Sequence, residues 1–293
     1  MSDLLSSAPA ILPHSRVAIL GLGLMGGSLA YALSGKCAAL IGVDPDAQTL
    51  RLAETSGIFQ ELHARPEAIT TPVDVWILAA PVRSILAILA EMSHWQGRGG
   101  IVLDLGSTKV HITQAMRRLP DAFDPLGGHP MCGKEKGSFA HAEAGLFRDA
   151  NFAFCRLENS STQAMQFAEE LATAIGAASL WIDAETHDRW TAATSHLPYL
   201  IANALAAATP REVAPLIGPG FRSSTRVAGS DPGMMLDILL TNRAQILVAA
   251  ASFQDAFLKL LVLLEADGEG ELAQKLQSGR LQRDELFNLQ ELV

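Results

Sequence analysis

Residues 16–33 read RVAILGLGLMGGSLAYAL, and the order of patterns in that stretch decides the fold. Residues 17–20 are a short apolar run of the kind a strand buried on both faces shows, and the pattern turns helical over Leu24–Leu33. Between them Gly21, Gly23 and Gly26 fall as G-x-G-x-x-G. In that position Gly21 permits a tight strand-to-helix turn, Gly23 lets a pyrophosphate approach the backbone, and Gly26 allows the helix to pack closely on the strand. The free N–H groups and dipole of the helix N-terminus then favour the anion. A second apolar run, Ala39–Val43, ends at Asp44, 18 residues after Gly26. That is close to the roughly 20 residues at which a carboxylate binds an adenosine ribose. Such a carboxylate repels a 2′-phosphate, so the cofactor expected is NAD rather than NADP. Leu24 and Met25, beside the second glycine, belong to the same candidate cofactor site.

Outward from this stretch, strand and helix patterns alternate: a helix over 47–55, a strand over 73–79, a helix over 82–92, a strand over 101–103 and a helix over 110–119. The order implies a Rossmann-type, doubly wound parallel sheet. Pro81 stops the third strand at the edge where such sheets bind ligands, and is counted with the cofactor-binding residues. Residues 122–138, AFDPLGGHPMCGKEKGS, read as a fifth strand opening into an irregular loop. Two further strands are expected over 152–157 and 179–182, with a helix over 162–175 between them.

After Asp183 no strand pattern returns. Residues 184–208 and 233–265 are Ala- and Leu-rich and apolar on more than one face. The second stretch reads as one helix of 33 residues. Three segments are therefore expected: a loose tail over 1–13, a dinucleotide-binding domain over 14–183, and an all-helical domain over 184–293 that a second copy completes as a homodimer.

Hydrophobic residues make up 49% of the 293-residue chain and charged residues 18%, enough apolar matter for a sizeable core. A formal net charge of −9 without a Lys/Arg-rich run excludes a nucleic-acid partner. No uninterrupted apolar run reaches the roughly 18 residues of a membrane span, and the first thirteen residues lack a signal-peptide pattern. The expectation is a cytoplasmic protein with no membrane partner. Cys37, Cys132 and Cys155 are odd in number and lack metal-ligand spacing, so reduced thiols and no metal are expected.

Three polar clusters can carry chemistry: Asp104, Ser107 and Lys109 at the end of a strand; His129 and Glu135 in the Gly-rich segment; and His187, His196, Arg222 and Arg226 in the helical half. From the residues alone, His129 reads equally as a proton-transfer group and as a loop histidine satisfied by backbone. His196, inside an apolar helix, reads more readily as a hydrogen-bonded core residue. Arg222 and Arg226, four apart, share a helix face and suit surface ion pairs.

Taken together, GLGLMGGSLA, DLGSTK, GGHPMCGKEKGS, SHLPY and GFRSSTRVAGSDP, in this order over residues 21–232, resemble the prephenate/arogenate dehydrogenase family of tyrosine biosynthesis. The resemblance implies a two-domain dimer, Rossmann-type then all-helical, that uses NAD to oxidise and decarboxylate prephenate to 4-hydroxyphenylpyruvate. Arogenate, or both substrates, is the alternative it leaves open. Carried over by position, His129 matches the catalytic histidine that accepts the hydrogen bond of the substrate's ring hydroxyl. Ser107 matches a serine holding that hydroxyl and the histidine in register. Arg226 matches the arginine that takes a substrate carboxylate, with Arg222 nearby; Glu135 matches a glutamate at the pocket mouth, and His196 lies in a block lining the pocket. The chain departs from the pattern at Tyr199, where many members carry histidine, at Met235, where some carry tryptophan, and at Lys134, often threonine. Cys132 replaces a common alanine and reads as a packing residue. A β-hydroxyacid-type dehydrogenase would want a lysine-centred motif in the helical half, where only Lys259 and Lys275 occur.

Overall fold

The computed structural model describes residues 9–134, 137–266 and 268–290. By contacts the chain divides into two compact units, Met1–Arg243 and Ala244–Val293. The first is built on eight strands: β1 (Arg16–Leu20), β2 (Ala39–Val43), β3 (Glu61–His63), β4 (Val75–Leu78), β5 (Gly100–Asp104), β6 (Phe123–Pro130), β7 (Asn151–Arg156) and β8 (Ala178–Trp181). They form a single sheet in the order β3-β2-β1-β4-β5-β6-β7-β8. All pairs are parallel except β6 with β7, which run antiparallel, so the doubly wound parallel sheet expected from the sequence is present with one antiparallel seam.

Along β1, Val17 and Ile19 enter one apolar layer while Ala18 and Leu20 enter the other. Strands with both faces covered need this double burial, which is why β1 reads as an unbroken apolar run. The first layer packs α1 (Leu24–Leu33) and α5 (Thr162–Ile175) on one face. The second packs α3 (Val82–Met92) and α4 (Val110–Met116) on the other. Helix α2 (Ala47–Ser56) starts on Asp46, whose carboxylate accepts from the Thr49 N–H at 2.8 Å, and stops at Gly57 in the left-handed region.

Residues 9–13 of the expected tail are tied down: Leu12 is buried, and the Glu170 carboxylate accepts from the N–H groups of Ile11 and Leu12, each at 2.8 Å. Residues 1–8 lie outside the described residues.

Helix α6 (Ala184–Thr191) is followed by a π turn, Ala192–His196, and by α7 (Leu197–Ala208). Pro198 explains the π turn. It has no N–H, and its ring would crowd the carbonyl of Thr194 in a regular helix, so the backbone widens by one residue there. After α8 (Pro219–Thr225) comes α9 (Pro232–Thr241), tied to α3 by Arg83 Nε donating to Asp237 Oδ1 at 2.6 Å.

The single helix expected over 233–265 is two. α9 ends at Thr241 and α10 (Arg243–Glu265) begins after Asn242, whose φ of −117° and ψ of 21° leave the helical region. Asn242 is buried, and its side-chain amide donates to the Asp188 carbonyl at 2.7 Å. An asparagine that finds a partner outside the helix competes with helical continuation.

In the second unit α10 is followed by α11 (Glu269–Gln290). Among the described residues α10 is the one helix long and apolar enough to cross a membrane. Asp255 and Lys259 pair across one of its turns at 2.6 Å. Leu247, Val248, Phe257, Val262 and Leu264 stand exposed on it.

Candidate active site

The glycine loop has the geometry a dinucleotide requires. Gly21 has a φ of +97°, and a Cβ there would stand 2.6 Å from the Ala79 carbonyl oxygen. A Cβ on Gly26 would fall 1.9 Å from the Gly21 carbonyl oxygen, whereas one on Gly23 would meet nothing within 4 Å. Two glycines are thus demanded by the fold itself and the third leaves open space. Helix α1 starts at Leu24 with no side chain capping its first turn, which leaves N–H groups for an anion. Asp44 is turned back to this loop: Oδ2 accepts from the Leu22 N–H at 2.8 Å and Oδ1 from the Asp46 N–H at 2.9 Å. Each carboxylate oxygen retains a lone pair for a ribose hydroxyl. These residues fit a dinucleotide.

A cavity of about 360 Å³ opens beside the loop, in the size range of small-molecule sites. It is lined by Gly23, Leu24 and Met25 from the loop, Pro81 from the end of β4, Ser107 from the β5–α4 turn, and His129 from β6. Lys134, Asp231, Met234 and Ile238 are among the other lining residues. A larger cavity, about 1080 Å³, lies at the opposite edge of the sheet against residues 69–76 and 96–101, and holds none of the motif residues.

Beneath the small cavity lies a buried polar network. Lys109 is fully buried and its ammonium pairs with Asp104 and donates to the Gly128 carbonyl at 2.5 Å. Asp104 in turn accepts from the N–H groups of Gly128 at 3.1 Å and Gly106 at 2.8 Å. Both polar groups of the residue before His129 are thereby clamped. Behind His129, its Nδ1 lies 2.9 Å from His187 Nε2, and His187 Nδ1 lies 2.9 Å from Asp188 Oδ1. Burial holds the His129 imidazole well below its ordinary pKa, and the neighbouring His187, Lys109 and His196 push the same way. His129 is therefore a neutral ring, able to take a proton.

Other expected site residues lie elsewhere. His196 does not line the cavity: it is buried, with Nδ1 3.1 Å from the Asn242 amide, and burial lowers its pKa to about 4. Tyr199 is buried among apolar side chains of the second layer, away from the cavity wall. Met235 and Ile238 belong to that layer too, and Ile238, with Met234, also lines the cavity. Arg222, in α8, and Arg226, which opens the turn Arg226–Gly229, are exposed and not part of the wall. Arg226 directly follows the last residue of α8, Thr225, in a helical conformation, four residues after Arg222. Glu135 lies outside the described residues. Lys134 pairs with Glu143 at 2.8 Å. Burial pushes the Cys132 thiol up to about 11, in keeping with a packing role.

Asp188 and Asn242 escaped the sequence reading, and His187 entered it only as one histidine of the helical half. The adjacent acid at Asp188 was visible, but its partners at 109 and 110, and the partner of His187 at 129, are far away in sequence.

A family model described as the nucleotide-binding domain of prephenate dehydrogenase matches residues 29–180, and one described as its dimerization domain matches residues 183–278. The chain belongs to the prephenate dehydrogenase family. The prephenate dehydrogenase of Bacillus subtilis is 32% identical over 252 residues, which are 79% of this chain; the chain spans 65% of that relative's length. The crystal structure of prephenate dehydrogenase from A. aeolicus, in complex with hydroxyphenyl propionate and NAD+, superposes with a TM-score of 0.85 at 27% identity. That match covers 94% of this chain and 99% of the other. The arogenate dehydrogenase of Synechocystis superposes with a TM-score of 0.78 at 26% identity, covering 92% and 99%. For a member of this family Ser107 and His129 fall within the nucleotide-binding match, the glycine loop lies just ahead of it, and α6 onward lies in the half that carries the dimerization model.

Proposed function

We propose that the chain is an NAD-dependent prephenate dehydrogenase, converting prephenate to 4-hydroxyphenylpyruvate by oxidation and loss of carbon dioxide. The observation that carries this reading is the placement of Ser107 and His129 in one cavity with Gly23, Leu24 and Met25. Gly21, Gly23, Gly26, Asp44 and Pro81 would hold NAD, which when bound supplies a hydride acceptor. The neutral His129 ring accepts the proton of the substrate's ring hydroxyl, and Ser107 orients that hydroxyl. As proton and hydride leave, departure of the ring carboxylate delivers an aromatic ring, so the protein's work is to orient and polarise. Arg226 is assigned a substrate carboxylate, for which a guanidinium fork is suited. Arogenate, differing in an amino group on the side chain, is the second reading, favoured by the close likeness to the Synechocystis enzyme.

The test is the rate of NADH formation with prephenate and arogenate in parallel, repeated with NADP. Prephenate should give the higher kcat/KM, and NAD should exceed NADP at least about tenfold, because the Asp44 carboxylate repels a 2′-phosphate. No NADH from either substrate would overturn the assignment. The reaction's place is the cytoplasm, in tyrosine biosynthesis.

The same reading includes a homodimer formed through the helical half. It is supported by the dimerization model over 183–278 and by the exposed apolar side chains of α10. An obligate interface of that character buries more than about 2,000 Å². Sedimentation at low micromolar concentration should give about twice 31.2 kDa, and an active monomer there would contradict the dimer.

A further inference from the structure

His187 and Asp188 stand behind His129, outside the cavity wall, and no step above uses them. Each is only 2% exposed. Asp188 is fixed by the start of α4, with Oδ1 accepting from the Lys109 N–H at 2.7 Å and Oδ2 from the Val110 N–H at 2.9 Å. The Asn242 amide holds the Asp188 carbonyl. His187 bridges this carboxylate to His129, the two rings meeting edge-on at 66° with centroids 5.1 Å apart.

With one N–H on each ring, the order of these groups assigns every proton along the line. A carboxylate only accepts, so the His187 nitrogen facing it, Nδ1, carries the hydrogen. A neutral imidazole has one N–H, so His187 Nε2 is an acceptor. His129 Nδ1, 2.9 Å from it, must then be the donor. That leaves His129 Nε2 without a hydrogen and with its lone pair free. The remaining charged and titratable groups around the line are Lys109, Asp104, His196 and the Cys155 thiol, which burial pushes up to about 12. The first two are committed to each other and to Gly128, and His196 is held by Asn242. None competes for the His129–His187 contact.

We propose that His187 and Asp188 are a positioning pair that locks His129 in the Nδ1–H tautomer, so that Nε2 is the atom taking the substrate's hydroxyl proton. The proposal rests on the reading of His129 as the base. In the step, the O–H bond breaks and a bond from hydrogen to Nε2 forms. The imidazolium keeps its Nδ1–H on His187 Nε2, and its charge faces the Asp188 carboxylate through the second ring. An aspartate that orients a catalytic imidazole in this way is worth about 10⁴-fold in turnover in the serine-protease triad, where the asparagine variant installs the wrong tautomer.

The test compares His187→Gln, His187→Asn and Asp188→Asn with the unmodified protein, reading kcat, KM for prephenate and the pH dependence of kcat/KM. A glutamine presents its carbonyl oxygen where Nε2 stands and can still accept from His129, whereas an asparagine is too short. His187→Gln should hold kcat within about tenfold, while His187→Asn and Asp188→Asn should lose about 10² to 10³-fold with KM little changed. A merely structural role would move both His187 variants alike, in KM and in melting temperature. Nitrogen-15 NMR of the unmodified protein gives a readout independent of any variant's folding: His129 should show a protonated Nδ1 and an unprotonated Nε2. The opposite tautomer, or a His187→Asn variant with full turnover, would overturn the pair's role. His129→Asn in the same assay separates the two levels, since full turnover there overturns the base itself, and an inactive His129→Asn beside an unaffected His187→Asn overturns only the pair.

Discussion

Replacing His129 with asparagine is expected to lower kcat by about 10³-fold while leaving KM for prephenate within about tenfold, because a general base acts mainly in the transition state. Asparagine is the right probe: it keeps a polar group on β6 and disturbs neither the Gly128 clamp nor the β7 pairing. The pH dependence has a definite sign. The working form is the neutral ring, and its pKa is held well below the ordinary value by burial first and by nearby positive or potentially positive groups second. Activity should therefore stay flat as pH falls through the range where a free imidazole would protonate, and decline only on the acid side of it. A kcat/KM profile that already falls below about pH 7 with a free-imidazole midpoint would contradict a desolvated base.

The glycine loop gives the second large effect as a contrast between two single-methyl changes. In Gly26→Ala the new Cβ would lie 1.9 Å from the Gly21 carbonyl oxygen, and the clash is with backbone that cannot rotate away. Overpacking of that severity should cost at least about 3 kcal/mol, and a fall in Tm of about 5 to 10 °C follows for a chain of this size. In Gly23→Ala the methyl meets nothing within 4 Å, and the backbone φ of −69° is open to any residue. Its Tm should match the unmodified protein's within about a degree, while NAD affinity drops tenfold or more, about 1.4 kcal/mol. Calorimetry for stability and titration for NAD read the two effects separately. If Gly23→Ala binds NAD normally, the open space beside Gly23 is not where the pyrophosphate lies.

Much of this was legible in the sequence because the physics was local. Strands such as β1, β2 and β4, covered on both faces, show as short apolar runs, and glycines fall where strand turns into helix. Helix α5 was legible to its end residues because Ser161 caps it and Gly176 stops it in the left-handed region. What was missed is short or depends on partners far along the chain. Strand β3 is three residues, Glu-Leu-His, half-buried at the sheet edge, and has no apolar run to show. The reversal at β7 left no mark, since a buried strand reads alike in either direction. The break at Asn242 had a signal, the polar triplet Thr241-Asn242-Arg243 between two apolar stretches, which an emphasis on overall apolarity passed over. The His129–His187–Asp188 line was not readable, because strand β6 and helix α6 meet only in the folded chain.

Strand β6 divides the cavity's freedom to change. On its side the small residues are locked: a Cβ on Gly128 would stand 2.6 Å from the Asp104 carbonyl oxygen, and one on Gly127 3.0 Å from the Cys155 Cβ. Across the cavity, Cβ atoms on Gly133 and Gly137 would meet nothing within 4 Å. Mutations accepted over generations should therefore gather on the irregular wall and spare the strand. In such a lineage the ring chemistry is inherited unchanged while the side chain it tolerates drifts, and relatives sharing one fold can come to differ in substrate.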